Sequence, residues 1–174
     1  MADANAMLKV KDILDKDKDR KYVVVSAPGK RFKSDVKITD RLYQCYDEVI
    51  KIGNCKESFK VIRERFVEIV KDLGLDFDIN SVLDKTENEI AEKKSADFAA
   101  SRGEYLSAVV MSELLGYEFV DAASLIRFDS QGKLNEDYTN DKVKSKIGGK
   151  EYVVIPGFYG KDSTGEIKTF SRGG

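Results

Sequence analysis

Two short apolar runs constrain this chain more than any other feature: Tyr22-Val-Val-Val25 and Glu151-Tyr-Val-Val-Ile155. Each is too short for a helix, rich in β-branched residues and without alternation, which is how a strand buried in a parallel sheet reads. Each also stops at a proline–glycine loop, Ser26-Ala-Pro-Gly29 after the first and Pro156-Gly-Phe-Tyr-Gly160 after the second. Parallel strands need long crossovers, and the stretch between these two runs is dominated by helical periodicity.

The spacing of apolar residues predicts helices over 2–14, 39–52, 56–73, 86–99 and 101–115, with a weaker one over 136–147. In the helix over 56–73, Phe59, Ile62, Phe66, Ile69 and Val70 fall on one stripe. Short strands are expected at 117–120 and 123–128, and the turn residues Lys161-Asp-Ser-Thr-Gly165 predict a hairpin near the end. Strands alternating with helices imply an α/β fold: a three-layer αβα sandwich around a mostly parallel sheet.

At 174 residues this is one domain of ordinary size. Thirty basic residues against thirty-one acidic ones leave a net charge of −1, so neither nucleic acid nor an anionic membrane surface is an expected partner. The absence of histidine removes His-based acid–base catalysis and every His-containing metal site, and two cysteines are too few for a disulfide framework. The cysteine usage and the lack of a signal-peptide pattern give a cytoplasmic expectation. Asp15-x-Asp17-x-Asp19 opens like a calcium loop, but Arg20 and Ser26 stand where that loop needs glycine and glutamate, so no metal site is expected.

Three segments carry candidate chemistry, each beside a plainer reading. Ser101-Arg-Gly-Glu104 matches a capping box, yet Glu104 in a first helical turn can also face a cationic ligand, and Gly103 leaves room for close approach. The loop Ser26–Gly29 is either a turn or a ligand loop at the carboxyl end of a strand, lacking both Walker and Rossmann glycine spacing. At the end, Ser171-Arg-Gly-Gly174 is either a tail or a guanidinium fork presented between glycines.

Taken in order, Val24-Val-Ser-Ala-Pro-Gly29, Ile38-Thr-Asp40, Ser101-Arg-Gly-Glu104, and Val154-Ile-Pro-Gly-Phe-Tyr-Gly160 leading to Thr169-Phe-Ser-Arg-Gly-Gly174 resemble the aspartokinases of the amino acid kinase superfamily. The resemblance implies phosphoryl transfer from ATP, with Mg2+, to the side-chain carboxylate of L-aspartate, the first step of aspartate-family (including lysine) biosynthesis. It implies that Ser26 and Thr39 supply hydroxyl contacts, that Glu104 pairs with the substrate ammonium and that Arg172 clamps a substrate carboxylate. Gly173 and Gly174 become candidates for nucleotide contact, and the complete protein is expected to form homo-oligomers.

The same resemblance places residues 1–174 as a partial kinase domain, its substrate-side half. The glycine-loop lysine of the family would lie upstream of Met1 and the nucleotide-binding half beyond Gly174, making the sandwich incomplete. The alternatives are a kinase for glutamate or a related carboxylate, and a non-catalytic amino-acid-binding remnant.

Overall fold

The computed structural model describes residues 1–171. In chain order the elements are α1 (Ala4–Asp15), β1 (Tyr22–Val25), α2 (Ile38–Ile52), α3 (Lys56–Asp72), α4 (Ile79–Lys93), α5 (Ala96–Leu115), β2 (Glu118–Phe119), α6 (Glu136–Ile147), β3 (Val153–Pro156), β4 (Tyr159–Lys161) and β5 (Ile167–Thr169). The three strands β1, β3 and β2 form a parallel sheet in that order, so the last of them in the chain lies in the middle. β4 and β5 form the expected antiparallel hairpin. The α/β class and the parallel sheet are as the sequence predicts, and the sheet is small.

The helical layers are unequal. Register pairs Val23 with Val154 and Phe119 with Val154, so these side chains share one face. Val23, Val25 and Val154 on that face join a single apolar core with residues of α1 to α5. Val153 points the other way, into a small cluster with Val120, Leu125 and Ile147 at the end of α6. Five helices therefore serve one face and a single helix the other.

This overturns the reading of Tyr22–Val25 as a strand buried on both faces. Burial alternates along β1, leaving Tyr22 50% and Val24 67% exposed. The cause is position: among the described residues β1 is an edge strand, and α6 reaches only as far as Val153 and the partly buried Ile155.

Two helix boundaries also differ from expectation. The fourth helix starts at Ile79, where the Asp78 carboxylate accepts from the Asn80 and Ser81 N–H groups. Lys94, in the left-handed region at φ 48°, ends it, and Ser95 opens α5 with its Oγ accepting from the Phe98 N–H at 3.2 Å. The segment 101–104 thus lies inside α5 and is not a capping box. The expected strand over 123–128 is a 3-10 turn at Ala122–Ser124 followed by isolated bridges at Arg127 and Phe128.

Candidate active site

The carboxyl end of the sheet is where the candidate residues gather. The loop after β1 runs Ser26 to Lys37 into α2, and the loop after β3 carries Gly157 and Phe158. α5 packs beneath both because it is small where it must be. A Cβ on Gly103 would stand 2.7 Å from the Ala27 Cβ and 3.3 Å from a Leu42 methyl. Gly103 therefore serves the packing of α5 against the first loop and α2, not the close approach of a ligand.

That packing brings Glu104 under the first loop. It is 7% exposed, and its Oε2 is buried without a hydrogen-bond partner. Burial pushes the carboxyl up to about 7, while the N–H groups of Ala27 and of Glu104 itself pull in the opposite direction. A buried carboxyl is costly for folding and suited to a cationic partner.

Glu104 lines a cavity of about 430 Å3 together with Lys37, Thr39, Asp40 and Tyr43 from the start of α2, and Phe158, Thr169 and Phe170 from the second loop and hairpin. Thr39 and Glu104 are thus brought to one cavity. Ser26 is exposed in the adjoining loop and is not among the residues lining that cavity. Arg172, Gly173 and Gly174 lie outside the described residues. The hairpin strand that leads toward them is fixed to α5, with the Thr169 hydroxyl donating to Asp97 at 2.5 Å and Lys168 paired with Asp97 at 2.8 Å.

Sequence reasoning missed Phe158 as a wall of the site. It holds φ 75°, a region that costs a non-glycine side chain, and its carbonyl accepts from the Phe170 N–H at 2.8 Å. Its only signal in the sequence was its place between Gly157 and Gly160.

Arg65 was missed too, because on α3 it reads as surface. Its side chain is 3% exposed and reaches Asp35 at 2.7 Å, the Ala2 carbonyl at 3.2 Å and the Gly29 carbonyl at 3.4 Å. It thereby ties the loop that precedes Thr39 to the helical core. Burial alone would raise the Asp35 carboxyl, but hydrogen bonds from the Arg31 N–H, the Arg65 guanidinium and the Val36 N–H hold it well below the usual carboxylate range.

Arg102, beside Glu104 in sequence, faces a different cavity. Its guanidinium stands 4.4 Å over the Phe98 ring, 4.5 Å over Tyr105 and 5.3 Å over Tyr159, and donates to the Ser101 hydroxyl. The Tyr159 hydroxyl donates to Asp121 at 2.8 Å. This cage joins α5 to β4 and explains Arg102 by cation–π packing. Among the described residues, no three acidic or cysteine side chains gather as a metal site. No helix there is long and apolar enough to cross a membrane.

No family model matches the chain. It is 30% identical to aspartokinase 3 of Bacillus subtilis, an alignment covering 95% of this chain and 40% of that one. Among solved structures, the aspartate kinase of Clostridium acetobutylicum superposes with a TM-score of 0.96 at 47% identity, over 99% of this chain and 40% of its own. Aspartokinase III of Escherichia coli, crystallised with aspartate and ADP, superposes with a TM-score of 0.79 at 20% identity, which speaks for the fold alone. The chain spans about two fifths of each of these relatives. Over nearly all of its length, then, the chain is similar in sequence and fold to part of an aspartate kinase.

Proposed function

We propose that this chain forms the aspartate-binding side of an aspartate kinase. The observation that carries the proposal is Glu104: a buried carboxyl on the wall of a cavity it shares with Thr39, in a chain 47% identical to an aspartate kinase. In this reading Glu104 receives the ammonium of L-aspartate, Thr39 and Ser26 offer hydroxyls to the substrate, and Arg172 takes a substrate carboxylate through its planar fork. The substrate's side-chain carboxylate then attacks the γ-phosphorus of ATP in line, the bond to the β,γ-bridging oxygen breaks, and aspartyl phosphate and ADP leave. Such a transfer depends on positioning and charge stabilisation, so a chain without histidine can take part in it.

The described residues gather no acidic cluster for Mg2+. ATP contacts are assigned to the part of an aspartate kinase that these 174 residues do not span. Gly173 and Gly174 are the residues here nearest in sequence to that role. The reaction opens aspartate-family (including lysine) biosynthesis in the cytoplasm, and the whole enzyme works as a homo-oligomer.

The test is titration of L-aspartate and L-glutamate into the 174-residue chain, followed by calorimetry and by amide resonances. Aspartate is expected to bind and to move the amides of Thr39 and Glu104, without turnover in the presence of ATP. Glu104→Gln removes one charged hydrogen bond worth roughly 1.5–3 kcal/mol and should weaken binding about 10- to 150-fold. Tighter binding of glutamate would move the proposal to another amino acid kinase. Binding of neither would overturn it.

A further inference from the structure

Among the described residues, three buried side-chain polar atoms lack a hydrogen-bond partner: Arg65 Nε, Glu104 Oε2 and Ser107 Oγ. Two of the three stand on α5, three residues apart. That spacing places side chains on one face of a helix, about 5–6 Å apart at Cβ. One is an acceptor and the other a hydroxyl that can donate.

Ser107 also behaves unlike the other buried serines of α5. The Ser101 hydroxyl donates to the Phe98 carbonyl at 2.6 Å and the Ser112 hydroxyl to the Val109 carbonyl at 2.7 Å, both three residues back along the helix. Ser107 is fully buried and makes no such bond. Its hydroxyl has therefore not been absorbed by the helix backbone, which is the usual fate of a serine there.

We propose that Ser107 is a positioning residue for Glu104, donating its hydroxyl to Oε2 by rotation about χ1 or through one buried water. The bond satisfies two costly atoms at once and fixes the plane of the carboxylate. The inner oxygen is then held, and the outer one is left for the substrate ammonium. This role rests on the reading of Glu104 as the ammonium-binding group, and it adds a supporting contact from the next turn of α5.

The test is the titration of the Glu104 side-chain carboxyl by carbon NMR in the 174-residue chain, which needs no substrate. Ser107→Ala should raise its midpoint by about one pH unit, the effect of losing one hydrogen bond to the charged form. Ser112→Ala should leave it unmoved. Lys37, Asp40 and Tyr43, the ionisable groups that share the cavity, and Arg102 beside it on α5 are the same in all these chains. In the parent chain the Ser107 Cβ resonance should follow the Glu104 midpoint, while that of Ser101, equally distant along the helix, should not. This second reading applies even if Ser107→Ala fails to fold.

An unmoved Glu104 midpoint in folded Ser107→Ala, or a Ser107 resonance that does not follow Glu104, overturns the proposal. Aspartate affinity is measured separately and should fall about three- to tenfold in Ser107→Ala at pH 8. Absence of aspartate binding to the parent chain would count against the substrate reading, while the titration would still decide whether Ser107 holds the Glu104 carboxylate.

Discussion

The two faces of the parallel sheet differ more than a three-layer sandwich would suggest. On one, Val23, Val25 and Val154 are sealed by α5, and the packing is continuous through five helices. On the other, Val153 is covered by α6 while Val24 is 67% exposed one strand away. The sealed face supplies stability, and at its carboxyl end it also carries the buried carboxyl of Glu104, with one oxygen unpartnered. The open face buries only a small cluster and leaves Tyr22 and Val24 exposed to solvent. Stability, chemistry and stickiness are thus separable by substitution.

The largest effect is expected on the sealed face. Val154→Asp would place an unpaired carboxyl where the side chain is fully buried, in the middle strand, at a cost above about 4 kcal/mol. The chain should be unfolded at 25 °C by circular dichroism. A cooperative thermal transition close to the parent's would mean the sealed face is not the seat of stability.

Which of these features the sequence discloses follows from where their cause lies. α2, α3 and α6 are legible because an apolar stripe and local end signals are properties of the segment itself. The exposure of Val24 is not, since Tyr22-Val-Val-Val25 is apolar throughout and only the neighbouring elements decide which side is covered. The break between α4 and α5 hides in Lys93-Lys-Ser95, because Lys94 takes a left-handed turn usually left to glycine or asparagine. In the site, Thr39 and Glu104 come from the resemblance to aspartokinases, whereas Arg65 and Ser107 carry no local signal. An arginine on an amphipathic helix and a serine inside a helix become informative only through what they touch or fail to touch.

The second effect is smaller, has the opposite sign and depends on pH. In the unfolded chain the Glu104 carboxyl titrates near its ordinary value of 4.5, and in the folded chain at about 7. Below pH 4.5 both states hold the proton and nothing is lost. As pH rises toward 7 the unfolded state ionises first, so stability falls, and above 7 the loss levels off at up to roughly 3 kcal/mol. Glu104→Gln removes this loss. Urea unfolding should find the variant more stable than the parent at pH 8 and nearly equal to it at pH 4.5. A difference that does not grow between those pH values would show that burial does not hold the proton on Glu104. By the same sign, aspartate should bind more tightly above pH 7, where the carboxylate is charged.

The smallest effect on stability belongs to the open face. Val24 buries little, so Val24→Lys removes little from the folded state and its long side chain extends into water. The change in unfolding free energy should stay within about 0.5 kcal/mol. Association is another matter. Tyr22 and Val24 project from an edge strand whose far side pairs with no other strand among the described residues, and apolar surface beside an open edge invites a second strand. A lysine on such an edge strand opposes that pairing by charge and by the cost of desolvating it. Sedimentation velocity across a concentration series should find the parent chain drifting toward larger species and Val24→Lys holding at the monomer. If both chains sediment alike as monomers, the exposed valine is a harmless edge residue, and the two faces differ in packing alone.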